Sequence, residues 1–163
     1  METIKNKISA VLIISLLIIV SCQDLKELNI NPNGVDPAKA QPFLLMSTVL
    51  TYTGQNVVGL GFGDIAGVMQ HTQKDGWAGG HNAYDWSDQN WGGFYGILRN
   101  AEEMLKKSEI SGNEFYQAVS LIMKAYNYGM ITDLWGDAPF SEALQGETGN
   151  LKPSYDSQKD IYL

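Results

Sequence analysis

Residues 91 to 130 constrain this chain more than any other part of it. Trp91, Phe94, Tyr95, Leu98, Ala101 and Leu105 recur at spacings of three and four. Arg99, Glu102, Glu103 and Lys106 fall largely on the opposite side, so this is an amphipathic helix. Phe115, Val119, Ile122, Tyr126 and Met130 form a second stripe of the same period. Between the two, "SEISGNE" is polar, carries Gly112 as a breaker, and offers Ser111 and Glu114 at capping-box spacing. Two long helices joined by so short a turn must run antiparallel, each burying aromatic residues against the other.

The flanking segments read as further helix and structured loop. From Pro42, the apolar positions Phe43, Leu44, Met46, Val49 and Leu50 predict a short buried helix ending near Gly54. Val58, Phe62, Ile65, Met69 and Thr72 predict another, despite Gly59, Gly61, Gly63 and Gly67. Each glycine costs roughly 1 kcal/mol against alanine in a helix. The backbone there is therefore either packed closely on a neighbour or partly irregular. After the second long helix, "TDLWGDAPFSEAL" is a corner in which Gly136, Asp137 and Pro139 stop the helix and Phe140 and Leu144 return to the core. Asp156 or Ser157 then caps a last helix starting at Gln158 and Lys159. A helix leaving off after one turn has little to pack, so the chain is expected to be the N-terminal part of a longer protein. No series of β-strands is evident. The fold class is mainly α, built of helical hairpins of tetratricopeptide-like type with long loops.

The N-terminus decides where the chain goes. Lys5 and Lys7 precede an apolar run from Ile8 to Val20, and Ser21 is a small residue before Cys22, the only cysteine. That is the layout of an export signal. The run falls short of the about 20 apolar residues of a spanning helix, which makes a permanent transmembrane anchor the weaker reading. Ile-Val-Ser-Cys resembles a bacterial lipobox, in which Cys22 is lipidated and becomes the first residue of the mature chain. The alternative is an ordinary signal peptide with an incidental cysteine. Residues 1–21 are thus read as a signal peptide, 22–41 as a polar tether, and 42–163 as the helical domain. With no cysteine pair, that domain must be held by core packing. The net charge is −7, becoming −8 once residues 1–21 are removed, and Arg99 is the sole arginine. Such a chain is a poor nucleic-acid binder, since phosphates demand Lys and Arg.

Taken together, "TDLWGDAPFSEAL", the following "PSYDSQKDIY", the two amphipathic helices before them, and "LNINPN" soon after a lipobox cysteine resemble the SusD/RagB family of outer-membrane lipoproteins, most closely its SusD-like branch. The resemblance covers nearly the whole chain but only the N-terminal portion of a typical member. It implies a mainly helical protein, lipid-anchored and facing outward. Its partners would be a SusC-like TonB-dependent transporter, for which it acts as a lid, and a glycan or, in some branches, a peptide ligand. Gln23-Asp24 is an imperfect match to the residues that influence surface export in that group.

For ligand contact the segment 71–91, "HTQKDGWAGGHNAYDWSDQNW", is the richest. It interleaves Trp77, Tyr84, Trp86 and Trp91 with Asp75, Asn82, Asp85, Asp88 and Asn90. Aromatic faces stack on sugar rings while amides and carboxylates bond their hydroxyls. Trp77 and Trp86 are the foremost candidates, with Tyr84, Asn82 and Asp85 beside them. The plainer reading has Trp91 in the next helix's core and the other aromatics pinning the loop. No catalytic residue, metal site or cofactor is expected. His71, Asp75 and His81 match no zinc spacing, and "GLGFGD" lacks the third glycine and preceding strand of a dinucleotide fingerprint, so packing is the better explanation for its glycines. Glu102 and Glu103 are adjacent on a charged face, while Asp133 and Asp137 flank Trp135 with no partners converging. Two other classes remain open: a surface glycoside hydrolase using carboxylates from elsewhere, and a helical scaffold binding only proteins.

Overall fold

Proline at the first turn of a helix loses no hydrogen bond, and Pro42 opens the first of the described helices. The computed structural model describes Gly34 and residues 39–73, 84 and 89–163. Within the unit Ala40–Leu163 the helices are α1 (Pro42–Phe62), α2 (Asp64–Val68), α3 (Gly92–Ser111), α4 (Glu114–Trp135) and α5 (Gln158–Tyr162), with a 3-10 turn at Gly146–Thr148. No strand is present among the described residues. A single antiparallel bridge joins Ala138 and Asp156, each N–H donating to the other's carbonyl at 3.1 and 3.0 Å.

The hairpin of α3 and α4 forms as the sequence requires, but its turn is tighter than the capping-box reading. Ser111 ends α3, and the cap of α4 is Asn113, whose side chain accepts from Tyr116 N–H. Gly112 sits at φ 65°, the left-handed region open to glycine, and Asn113 N–H and Gly112 N–H return to Ser108 and Glu109 carbonyls. The orphan carbonyls of α3 thus satisfy themselves within two residues, leaving Ser111 no cap to make.

α3 packs against both α1 and α4. Phe94 and Leu98 join Tyr128, Ile131 and Ala138 in one cluster, and Ile97 and Ala101 join Val49 in another. Two-sided burial is why Ile97 and Met104, outside the predicted stripe, are as buried as the residues within it.

α4 corrects its prediction. The stripe expected inside faces solvent: Phe115 is 61% exposed, Ile122 65%, and Tyr126 is exposed too, with Val119 and Met130 half-buried. The inward face carries Ser120, Asn127, Tyr128, Ile131 and Thr132. Small polar residues tolerate burial when bonded. Ser120 Oγ donates to Tyr116 O at 2.7 Å, Thr132 Oγ1 to Gly136 O at 2.8 Å, and Asn127 Nδ2 to both Thr53 Oγ1 (3.0 Å) and Met123 O (2.8 Å). α4 therefore has two faces fit for burial, and periodicity alone favours the more apolar one.

The two helices predicted on either side of Gly54 are one. Gly54 is a mid-helix residue, and the break falls at Gly63, where a Cβ would lie 2.7 Å from the Gly59 carbonyl oxygen. Gly59 and Gly61 have no neighbour within 4 Å of a would-be Cβ, so close packing accounts for Gly63 and not for them. The inward residues of α1 are Val49 and Thr53, with Asn56 and Leu60 half-buried, while Phe43, Leu50 and Val58 are exposed. The last helix starts at Gln158 under a Ser157 cap, as predicted, and Ile161 packs on the main core.

The Asn127–Thr53 bond is a buried polar side-chain link between α4 and α1. Asn127→Ala leaves Thr53 unpaired and is expected to destabilise the protein by about 1–3 kcal/mol, measured by chemical denaturation.

Candidate binding site

Of the residues predicted to touch ligand, Trp77, Asn82, Asp85 and Trp86 lie outside the described residues, as does Cys22. Tyr84 is exposed, with φ 58°, a left-handed backbone uncommon away from glycine. His71 is exposed at the start of the segment; Asp75 and His81 lie outside the described residues. At its end Trp91 takes the plainer role. It is half-buried against the core, with its ring 5.8 Å from Tyr95, 6.0 Å from Trp135 and 5.8 Å from Tyr155.

A cleft of about 240 Å³ opens beside that end of the segment, between α1, the start of α3 and the end of α4. Gln55, Asn56, Gln89 and Asn90 bring side-chain amides to it, and Leu60, Phe94, Leu134 and Trp135 supply its apolar wall. Its rim is fixed by hydrogen bonds. Trp135 Nε1 donates to Gln89 O at 3.3 Å, and Gly92 N–H donates to Asn90 Oδ1 at 2.6 Å. Asn56 Nδ2 is buried with no hydrogen-bond acceptor among the described residues. Sequence reading named Asn90, Phe94 and Trp135 separately but did not bring the lining together, because it comes from three separate elements. The one available signal was Asn56, a polar residue three positions after Thr53 on the inward face of α1.

The corner after α4 holds Trp135 in place. The Asp156 carboxylate accepts from Phe140 N–H and Ser141 N–H, both at 2.9 Å, and from Ser141 Oγ at 2.7 Å. Those bonds, the Ser141 hydroxyl's first, hold its carboxyl below the ordinary value. Glu142 is lowered likewise, chiefly by the Ser154 N–H. Tyr95 Oη donates to Pro139 O at 2.6 Å. Burial pushes that phenol up to about 12, with Tyr155 and Asp156 adding to the effect, so it remains a donor. Burial raises Tyr128 as well.

The carboxylates weighed for hydrolysis are engaged elsewhere. Asp133 accepts from Tyr162 Oη and Asp137 from Gln158 N–H. Glu102 pairs with Lys124 at 2.5 Å, and Glu103 with Lys107 at 3.4 Å.

A protein-family model, SusD-like_2, described as "Starch-binding associating with outer membrane", matches residues 36–163. That span includes every helix above and the whole aromatic segment. No curated protein and no solved structure matches the chain.

The corner has a pH signature. Asp156 titrates below its unfolded value, so its contribution is whole above the ordinary carboxylate pKa and is lost as pH falls through the lower folded one. The parent is expected to melt above Asp156→Asn at neutral pH and to converge with it once the pH has fallen through the lowered folded value, in thermal scans across pH.

Proposed function

Because the chain belongs to the SusD-like family, we propose that it is a surface lipoprotein that captures glycans at the outer membrane and passes them to a SusC-like TonB-dependent transporter. The match across residues 36–163 carries this reading. The N-terminus supports it independently: a lipidated Cys22 at the end of an apolar leader leaves residues 22–41 as a tether between lipid and the helical domain. Acyl chains contribute about 0.8 kcal/mol per buried CH₂, and more than one chain makes the attachment stable.

The ligand-facing part in this reading is the aromatic segment, with Trp77 and Trp86 stacking on sugar rings and Tyr84, Asn82 and Asp85 beside them. The aromatic core under Trp91 gives one end of that segment a rigid footing. The protein works by binding and presentation, and its own side chains need perform no bond-breaking step.

Cys22→Ser is expected to abolish metabolic labelling with palmitate and to move the protein out of the membrane fraction; unchanged labelling would overturn the lipoprotein reading. For the ligand, calorimetry with a panel of oligosaccharides and thermal midpoints should be read together. Trp77→Ala or Trp86→Ala should weaken binding by roughly 1–3 kcal/mol with little change in stability. A fall in stability with affinity following it would make them loop pins instead.

A further inference from the structure

The cleft between α1, α3 and α4 has a composition that restricts what it takes. Among the described residues no ionisable side chain lines it, so those residues offer nothing to neutralise an anion or a cation. What it does offer is amide residues together with an indole and a phenyl ring, the combination that meets a neutral polyol: amides to bond hydroxyls and aromatic faces to take C–H groups. Its volume, about 240 Å³, is below the range usual for drug-sized ligands, which suits one ring and not a chain of them.

The second observation is the stranded donor. A buried amide N–H with no acceptor is costly, and native proteins seldom retain one without a partner from outside the fold. Asn56 Nδ2 is such a group, and its residue lines the cleft. Asn90 spends its Oδ1 on Gly92 N–H, which leaves its amide nitrogen as a donor. Gly59, also lining the cleft, has open space where a side chain would begin, so the wall is kept back at that point.

From these we infer that the cleft is a subsite for a single neutral sugar ring, with a ring or hydroxyl oxygen accepting from Asn56 Nδ2 and the pyranose face on the Trp135 side. The inference rests on the glycan-binding reading and assigns it a place distinct from Trp77 and Trp86. Gln89 and Asn90, the last residues before Trp91, line the cleft where the chain enters α3.

The test uses the full chain and methyl glycosides of glucose, galactose and mannose, followed by calorimetry or saturation-transfer NMR. Saturable binding is expected to be flat between about pH 5.5 and 8, the range across which a histidine would titrate, because no described lining residue is ionisable. Asn56→Leu should cut affinity roughly tenfold, the worth of one well-made hydrogen bond, without lowering the melting temperature, since it removes an unpaired buried donor. Gly59→Leu should block the cleft while leaving the fold at least as stable, because leucine is the better helix former. A cleft that holds only water would give no saturable response to any glycoside, and that result overturns the inference. So would a response to N-acetyl amino-acid amides in place of glycosides, which would make it a peptide subsite. If both variants bind glycoside like the parent and retain polysaccharide equally well on a glycan column, the subsite is wrong and the glycan reading stands. If the parent itself is not retained on any glycan, that reading fails and takes the subsite with it.

Discussion

The aromatic cluster where α3 begins and α4 ends is the interaction on which the rest depends. Trp91, Phe94 and Tyr95 meet Trp135 and Tyr128 in edge-on contacts, the closest being Phe94 with Trp135 at 5.5 Å, and Phe140 adds a further contact to Tyr128 at 4.8 Å. Each such pair contributes about 0.5–1.5 kcal/mol beyond the area it buries. More consequential is what the rings hold together. Tyr95 reaches the corner at Pro139, Trp135 reaches back to Gln89, and Trp91 touches Tyr155 ahead of the last helix. Three loops that share no sequence neighbourhood are tied to one hydrophobic point.

That arrangement explains how a helical hairpin supports a cleft. Helices supply stiffness but little concavity. Here the concavity comes from the ends: the exit of the aromatic segment at Gln89 and Asn90, the last turn of α4 at Leu134 and Trp135, and a glycine in the wall of α1. The corner clamp of Asp156 works at the same end of the molecule and draws its strength from backbone N–H groups as well as from Ser141. The described residues lining the cleft are amides, apolar groups and a glycine, with no charge among them.

Polar groups inside the helical core have a different task. Asn127 and Thr53 meet where α4 and α1 approach each other. An apolar contact there would tolerate sliding by a turn, whereas a hydrogen bond with direction fits one register only. The cost appears in the same residue, because Asn127 Oδ1 is itself buried without a donor. Register and incomplete satisfaction come from a single side chain.

By itself the sequence determined that two long helices form an antiparallel hairpin, that a corner follows Trp135, and that a capped helix starts at Gln158, because periodicity, glycine and capping chemistry are local. The family resemblance, borne out by the match over residues 36–163, was legible for the same reason: it rests on contiguous strings. Tertiary structure alone decided which side of α4 is buried. Ser120, Asn127 and Thr132 point inward while Phe115 and Ile122 do not, and that follows from bonds to Tyr116, Thr53 and Gly136 that no spacing rule contains. It likewise decided that α1 runs through Gly54 and breaks at Gly63, since the break depends on a 2.7 Å approach to a carbonyl four residues back. The cleft was the least legible of all. Gln55, Trp135 and Asn90 become neighbours only after the aromatic cluster has closed, and no property of any one segment records that meeting.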